Sequence, residues 1–181
     1  MTNEGNSEGL VIVYTGDGKG KTTAALGLCL RAVGHGNKVR IIQFIKSDWP
    51  YGEREGLGRL APEVELDIRG AGCIGILGDD LPIETHRNAA REAMAEAEAA
   101  VGSGRYDMVI LDEVHIATHY QLIAVDDLLS LIRNKSAGLT LVMTGRYADR
   151  RIIDEADLVT EMKEIKHPYR SGRKAKKGVD Y

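Results

Sequence analysis

The residues most able to do chemistry stand together at Thr15, Gly16, Asp17, Gly18, Lys19, Gly20, Lys21, Thr22 and Thr23. Three glycines alternate with polar residues and close on a lysine and a hydroxyl. Glycine accepts backbone angles that let successive amides turn toward one anion. A helix beginning at the lysine would add the positive potential of its amino end. Lys21 then offers a mobile charge to phosphate, and the Thr22 hydroxyl a ligand for Mg²⁺. The commoner form of this loop has glycine six positions before the lysine. Here Thr15 stands there and Gly16 follows, so the loop is one residue short. The expectation is a phosphate loop that holds the triphosphate of ATP with Mg²⁺.

A second constellation ends the apolar run 108–111, where Asp112 and Glu113 follow directly. An apolar strand that delivers acids at its carboxyl end brings carboxylate to a phosphate-bound metal, which makes Asp112 and Glu113 candidates for the Mg²⁺ shell. In an ATP-hydrolysing enzyme Glu113 would instead polarise water. His115 and His119 stand four apart, the spacing of a metal pair on one helix face. Two ligands without a His-Glu-x-x-His pattern do not make a zinc site, so ordinary packing is expected. The basic stretch 163–177 fits equally a contact to phosphates, carboxylates or RNA and a solvated tail.

The elements that must position these residues follow from periodicity. Residues 10–14, 39–45, 64–68, 108–111, 139–143 and 158–162 read as strands. Helices are predicted over 22–33, over 82–101 with Pro82 in the first turn, and over 125–132. The stretches 47–58 and 70–78 and the tail after His167 are expected to be irregular. Strands alternating with helices imply an α/β fold with three layers and a mostly parallel central sheet, its site at the strands' carboxyl ends. Residues 10–181 are expected to form one P-loop nucleotide-binding domain behind a short amino-terminal stretch, 1–9.

Composition narrows the class. The 181 residues suffice for one sizeable core, and 43% hydrophobic with 28% charged residues is a globular balance. A formal net charge of -3 gives no general attraction to nucleic acid or an anionic membrane. Two cysteines, Cys29 and Cys73, cannot build a disulfide framework and fit a reducing compartment. No secretory signal and no run of about 18 apolar residues is visible, so a cytoplasmic protein is expected.

Several segments together resemble one family. Residues 15–27 with 30–32 look like the short phosphate loop of the P-loop ATP:corrinoid adenosyltransferases. So do 43–46, Gly52 with Glu53, 111–113, 144–146, 155–162, 166–169 and 174–181. The resemblance implies a RecA-like fold and transfer of the 5′-deoxyadenosyl group of ATP to cobalt(I) of a reduced corrinoid, with inorganic triphosphate released. It also implies a homodimer, ATP reversed in the loop, and a flavoprotein as candidate electron donor. By matching position, Gly16, Gly18, Lys19, Gly20, Lys21, Thr22 and Thr23 would hold the triphosphate, with Asp17 also ATP-binding. Thr22 and Glu113 would hold Mg²⁺. Arg146 would reach a phosphate, with Lys21 and Arg146 the catalytic pair. Members commonly carry aromatics in the loop after the third strand, whereas residues 72–77 here have none.

Two other readings stay open on the residues alone. A RecA-like ATPase would yield ADP and phosphate and lean on Glu113. A non-catalytic ATP- or corrinoid-binding paralogue would bind without turnover.

Overall fold

The computed structural model describes residues 8–47, 51–72, 74 and 79–181. The expectations for residues 1–7 and 75–77 and for Cys73 lie outside the described residues.

Six short strands carry the architecture: β1 Val11–Thr15, β2 Val39–Gln43, β3 Val64–Ile68, β4 Met108–Asp112, β5 Thr140–Thr144 and β6 Leu158–Glu161. They form one sheet in the order β3-β2-β4-β5-β1-β6, and every pairing is parallel. Parallel neighbours need crossovers, and helices α1 Lys21–Gly34, α2 Gly52–Gly58, α3 Ile83–Gly102, α4 Val114–His119, α5 Val125–Asn134 and α6 Arg150–Glu155 supply them.

The four inner strands, β2, β4, β5 and β1, are mostly apolar and buried because both of their faces are covered, whereas edge strand β6 is exposed. Alternate residues sort cleanly. Val11, Val13, Val109, Leu111, Leu141 and Met143 enter one core with residues of α3, α4, α5 and α6. Ile12, Met108, Ile110 and Val142 enter the other with Ala25, Cys29 and Ala32 of α1 and Leu57 of α2. This is the three-layer P-loop fold. In α3, Ala90, Ala93, Ala97 and Ala100 are buried, so its small residues let a long helix lie close on the sheet.

Two expectations are corrected and one helix is added. The stretch 47–58 contains α2, and α6 forms where no helix is expected. Both are short and gain most of their stability from packing rather than from propensity. The tail after His167 contains a 3₁₀ turn, Pro168–Ser171, with the His167 ring accepting from the Tyr169 amide.

Candidate functional site

Three strands that neighbour one another end in polar residues at one level: Gln43 on β2, Asp112 on β4 and Thr144 on β5. Gln43 is the register partner of Asp112. All three are buried, with Asp112 at 1% exposure. A buried carboxylate needs compensation, and Asp112 has it on both oxygens. Its Oδ1 accepts from Thr22 Oγ1 at 2.8 Å and from Thr144 Oγ1 at 2.8 Å. Its Oδ2 accepts from Gln43 Nε2 at 3.0 Å and faces Lys46 Nζ at 3.3 Å.

Glu113 stands next to it in a left-handed backbone conformation, φ 61°, with its amide donating to Thr144 Oγ1 at 2.9 Å. That conformation is uncommon for a side chain other than glycine and aims this residue out of the strand's alternation. Burial pushes the Glu113 carboxyl up from its ordinary pKa, and the charge of Asp112 adds to it. Lys21, Lys46 and Arg146 oppose them. Among the described residues no hydrogen bond reaches the Glu113 carboxylate.

The phosphate loop runs from β1 into α1. Gly16 (φ 94°) and Gly20 (φ 117°) occupy the left-handed region that glycine tolerates. A Cβ on Gly16 would come within 2.5 Å of the Met162 carbonyl oxygen, and one on Gly18 within 2.7 Å. Gly18 is therefore glycine for closeness to the backbone after β6. Its amide donates to Met162 O at 2.6 Å. Lys21 is buried and its Nζ donates to Gly16 O at 2.8 Å and Gly18 O at 2.7 Å. Burial pulls its pKa down, partly offset by Glu113, Asp17 and Asp112.

The remaining expected residues surround this centre. Lys19 Nζ pairs with Asp180 Oδ1 at 2.7 Å, which brings the end of the tail over the loop and holds the Asp180 carboxyl below its usual range. Arg146 is exposed and its Nη2 donates to Asp17 O at 3.3 Å. Thr23 lines a cavity of about 370 Å³ above the loop with Lys19, Lys21, Thr22, Lys46 and Glu113. A neighbouring cavity of about 470 Å³ is walled by Ile45, Tyr51, Ile74, Ile116, Tyr120 and Tyr147. Asp17, Gly18, Glu113 and Arg146 also line this second cavity.

His115 and His119 do lie on one helix, α4, but in different environments. His115 is fully buried, and among the described residues neither ring nitrogen has a hydrogen-bond partner. Burial brings its pKa down to about 4. His119 stacks on Tyr147 with ring centroids 4.1 Å apart. Among the described residues no group of three or more His, Cys, Asp or Glu side chains could hold a metal by itself.

Four contributors have no assigned role in the sequence reading: Gln43, Lys46, Glu53 and Thr144. The signal that could have found Gln43 and Thr144 is positional, a polar residue at the carboxyl end of an otherwise apolar strand. Lys46 and Glu53 require the fold, since β2 and α2 bring them together only in space.

Similarity to known proteins agrees with this geometry. Residues 7–181 match the family described as ATP:corrinoid adenosyltransferase BtuR/CobO/CobP. The chain belongs to the ATP:corrinoid adenosyltransferase family. A corrinoid adenosyltransferase of Escherichia coli is 38% identical over 177 residues, spanning 97% of this chain and 87% of that protein. One from Sinorhizobium sp. is 39% identical over 188 residues, spanning 100% of this chain and 84% of that protein. In fold, the chain resembles the flagellar accessory protein FlaH of Methanocaldococcus jannaschii, with a TM-score of 0.59 at 11% identity. That match covers 88% of this chain and 73% of that one.

Proposed function

We propose that this adenosyltransferase moves the 5′-deoxyadenosyl group of ATP onto the cobalt(I) of a reduced corrinoid and releases inorganic triphosphate. The observation that carries the reading is the junction of two unlike cavities at the phosphate loop. One is rich in lysine and loop backbone, and the other adds an apolar side of three isoleucines and three tyrosines. A nucleotide whose phosphates fill the first presents its sugar carbon toward the second. Cobalt(I) is itself a nucleophile, so the protein needs to align three atoms and hold charge rather than supply an attacking group.

Mg²⁺ fits this donor set. Mg²⁺ is commonly held by one or two carboxylates together with substrate phosphates and water. The Glu113 carboxylate is half-buried and, among the described residues, accepts no hydrogen bond, which suits a cation-binding group. Asp112, saturated by Thr22, Thr144, Gln43 and Lys46, suits an outer role that orients the Thr22 hydroxyl. When bound, the metal would neutralise charge on the triphosphate. Gly16, Gly20 and Thr23 surround the phosphates, with Lys19 and Lys21 as mobile cations. Lys21 exchanges its two loop carbonyls for phosphate oxygens. Arg146, exposed beside Asp17, reaches the same anion from the second cavity.

Residues 10–181 act as one nucleotide-binding domain on this reading, the protein works as a homodimer in the cytoplasm, and a flavoprotein supplies the electrons that keep cobalt reduced. The deciding experiment incubates the protein with MgATP and chemically reduced corrinoid and follows the absorbance of the cobalt–carbon product. Its formation is expected. ATP binding without that product would instead support the non-catalytic reading.

A further inference from the structure

The two cavities share four lining residues: Lys19, Lys21, Lys46 and Glu113. Of the three cations, Lys19 is paired with Asp180 and Lys21 is turned onto loop carbonyls. Lys46 differs in origin and in restraint. It follows β2, which β4 and β5 separate from the strand that feeds the loop. Its Nζ lies 2.5 Å from Glu53 Oε1, 3.3 Å from Asp112 Oδ2 and 5.0 Å from the centroid of the Tyr51 ring. The side chains of Lys46 and Glu53 are only 16% and 17% exposed. A long flexible side chain is thus held as a fixed point charge at the boundary between the cavities.

We propose that Lys46 is a catalytic residue of adenosyl transfer and Glu53 its positioning residue: the ammonium meets the leaving oxygen of the triphosphate. The proposal rests on the adenosyl-transfer reading. In that step the electron pair of cobalt(I) forms the bond to C5′, and the C5′–O5′ bond breaks with its pair remaining on O5′. Cobalt is formally oxidised from I to III, and the C5′ carbon is reduced. The triphosphate leaves with one more negative charge than it had as an ester, and no proton has to move. That bond lies where the phosphates end and the second cavity begins. A cation already fixed there by two acids stabilises the new charge without reorganising. Service as a counterion to Asp112 does not account for the geometry by itself. Asp112 already accepts from Thr22, Thr144 and Gln43, and the shorter contact of Lys46 is to Glu53, which lines the phosphate cavity.

Differential binding provides the test, because Lys46 should favour triphosphate, with its free oxygen, over ATP, in which that oxygen is esterified. Titration calorimetry compares MgATP with sodium triphosphate plus Mg²⁺ on the wild-type protein and on Lys46→Gln, Lys46→Arg and Glu53→Gln. For Lys46→Gln, ATP affinity is expected within about threefold of wild type, triphosphate affinity about tenfold weaker, and single-turnover transfer about 100-fold slower. Lys46→Arg should recover most of the rate. Glu53→Gln should slow transfer about tenfold with ATP affinity kept, and it tests the proposal even if Lys46→Gln fails to fold. Equal weakening of ATP and triphosphate with an unchanged transfer rate would reduce Lys46 to a counterion and overturn the proposal. A wild-type protein that forms no cobalt–carbon bond refutes the adenosyl-transfer reading itself, a result separable from any effect of the variants.

Discussion

At the scale of single residues the site is held in tension by its own charges. Glu113 is a carboxylate whose ionised form is disfavoured by burial and by Asp112. A carboxyl raised in the folded state costs nothing below its unfolded pKa of about 4.3 and destabilises progressively as pH rises through the folded value. Glu113→Gln is therefore expected to raise the melting temperature of the metal-free protein near pH 8, with the gain vanishing toward pH 4. The same variant should lose activity. A melting temperature unchanged at both pH values would show that the carboxylate is not under this strain. His115 carries the opposite sign. With its pKa down to about 4 from an ordinary 6.5, its contribution is complete above pH 6.5 and is lost as pH falls toward 4. The loss is on the order of 3 kcal/mol if the ring stays buried. Acid unfolding of His115→Leu should accordingly begin at lower pH than that of the wild type, and coincident curves would contradict it. Lys21→Ala and Thr22→Ala test the phosphate site more directly. Each removes a contact worth about 2–3 kcal/mol or more to a triphosphate, so activity should vanish in a folded protein. Wild-type transfer by folded Lys21→Ala would remove Lys21 from the site.

At the scale of elements, the phosphate loop is fixed from outside as well as by its own sequence. Its Gly18 amide is bonded to Met162 O just beyond β6, and the Gly16 and Gly18 positions leave no room for a Cβ against that carbonyl. Gly16→Ala adds strain at φ 94° to this collision. A cost of about 1–3 kcal/mol in stability is expected, with ATP affinity at least tenfold weaker because the loop must move off β6. Calorimetric titration with MgATP and thermal melting check both effects. Wild-type affinity in Gly16→Ala would mean that the loop binds phosphate in another arrangement. The strand ends matter in the same way. Gln43, Asp112 and Thr144 meet because β2, β4 and β5 are neighbours, so a shift of one strand by a residue would break the hydrogen bonds that orient Thr22.

Over the whole molecule the question is which bond of ATP breaks. Hydrolysis would need a water held at the terminal phosphate, whereas transfer needs C5′ open to the second cavity. The cavities meet at Lys19, Lys21, Lys46 and Glu113, a cationic boundary suited to a highly charged leaving group. Phosphorus NMR should therefore show inorganic triphosphate only when reduced corrinoid is present, with negligible turnover of ATP alone. ADP and phosphate formed without corrinoid would instead promote the ATPase reading. The proposed homodimer is checked separately by sedimentation, where a monomer at working concentration would refute it.

The sequence by itself determined the parts whose physics is local. Gly16, Gly18, Gly20, Lys21 and Thr22 announce a loop that can wrap an anion, because glycine frees the backbone where it must turn. The alternation of apolar strands with helices announces a covered parallel sheet, because a strand buried on both faces cannot carry polar residues along its length. Asp112 and Glu113 are legible because acids end an apolar run. Partnership across the chain was decided only by tertiary structure. Gly18 spends its amide on Met162, Lys19 finds Asp180, and Lys46 is fixed by Glu53 and Asp112. Each pair joins residues from different elements, and their distances depend on strand order rather than on spacing in the chain. The environments of His115 and His119 were likewise undecided by their four-residue spacing. Periodicity puts them on one helix, but packing buries one ring with no partner among the described residues and stacks the other on Tyr147.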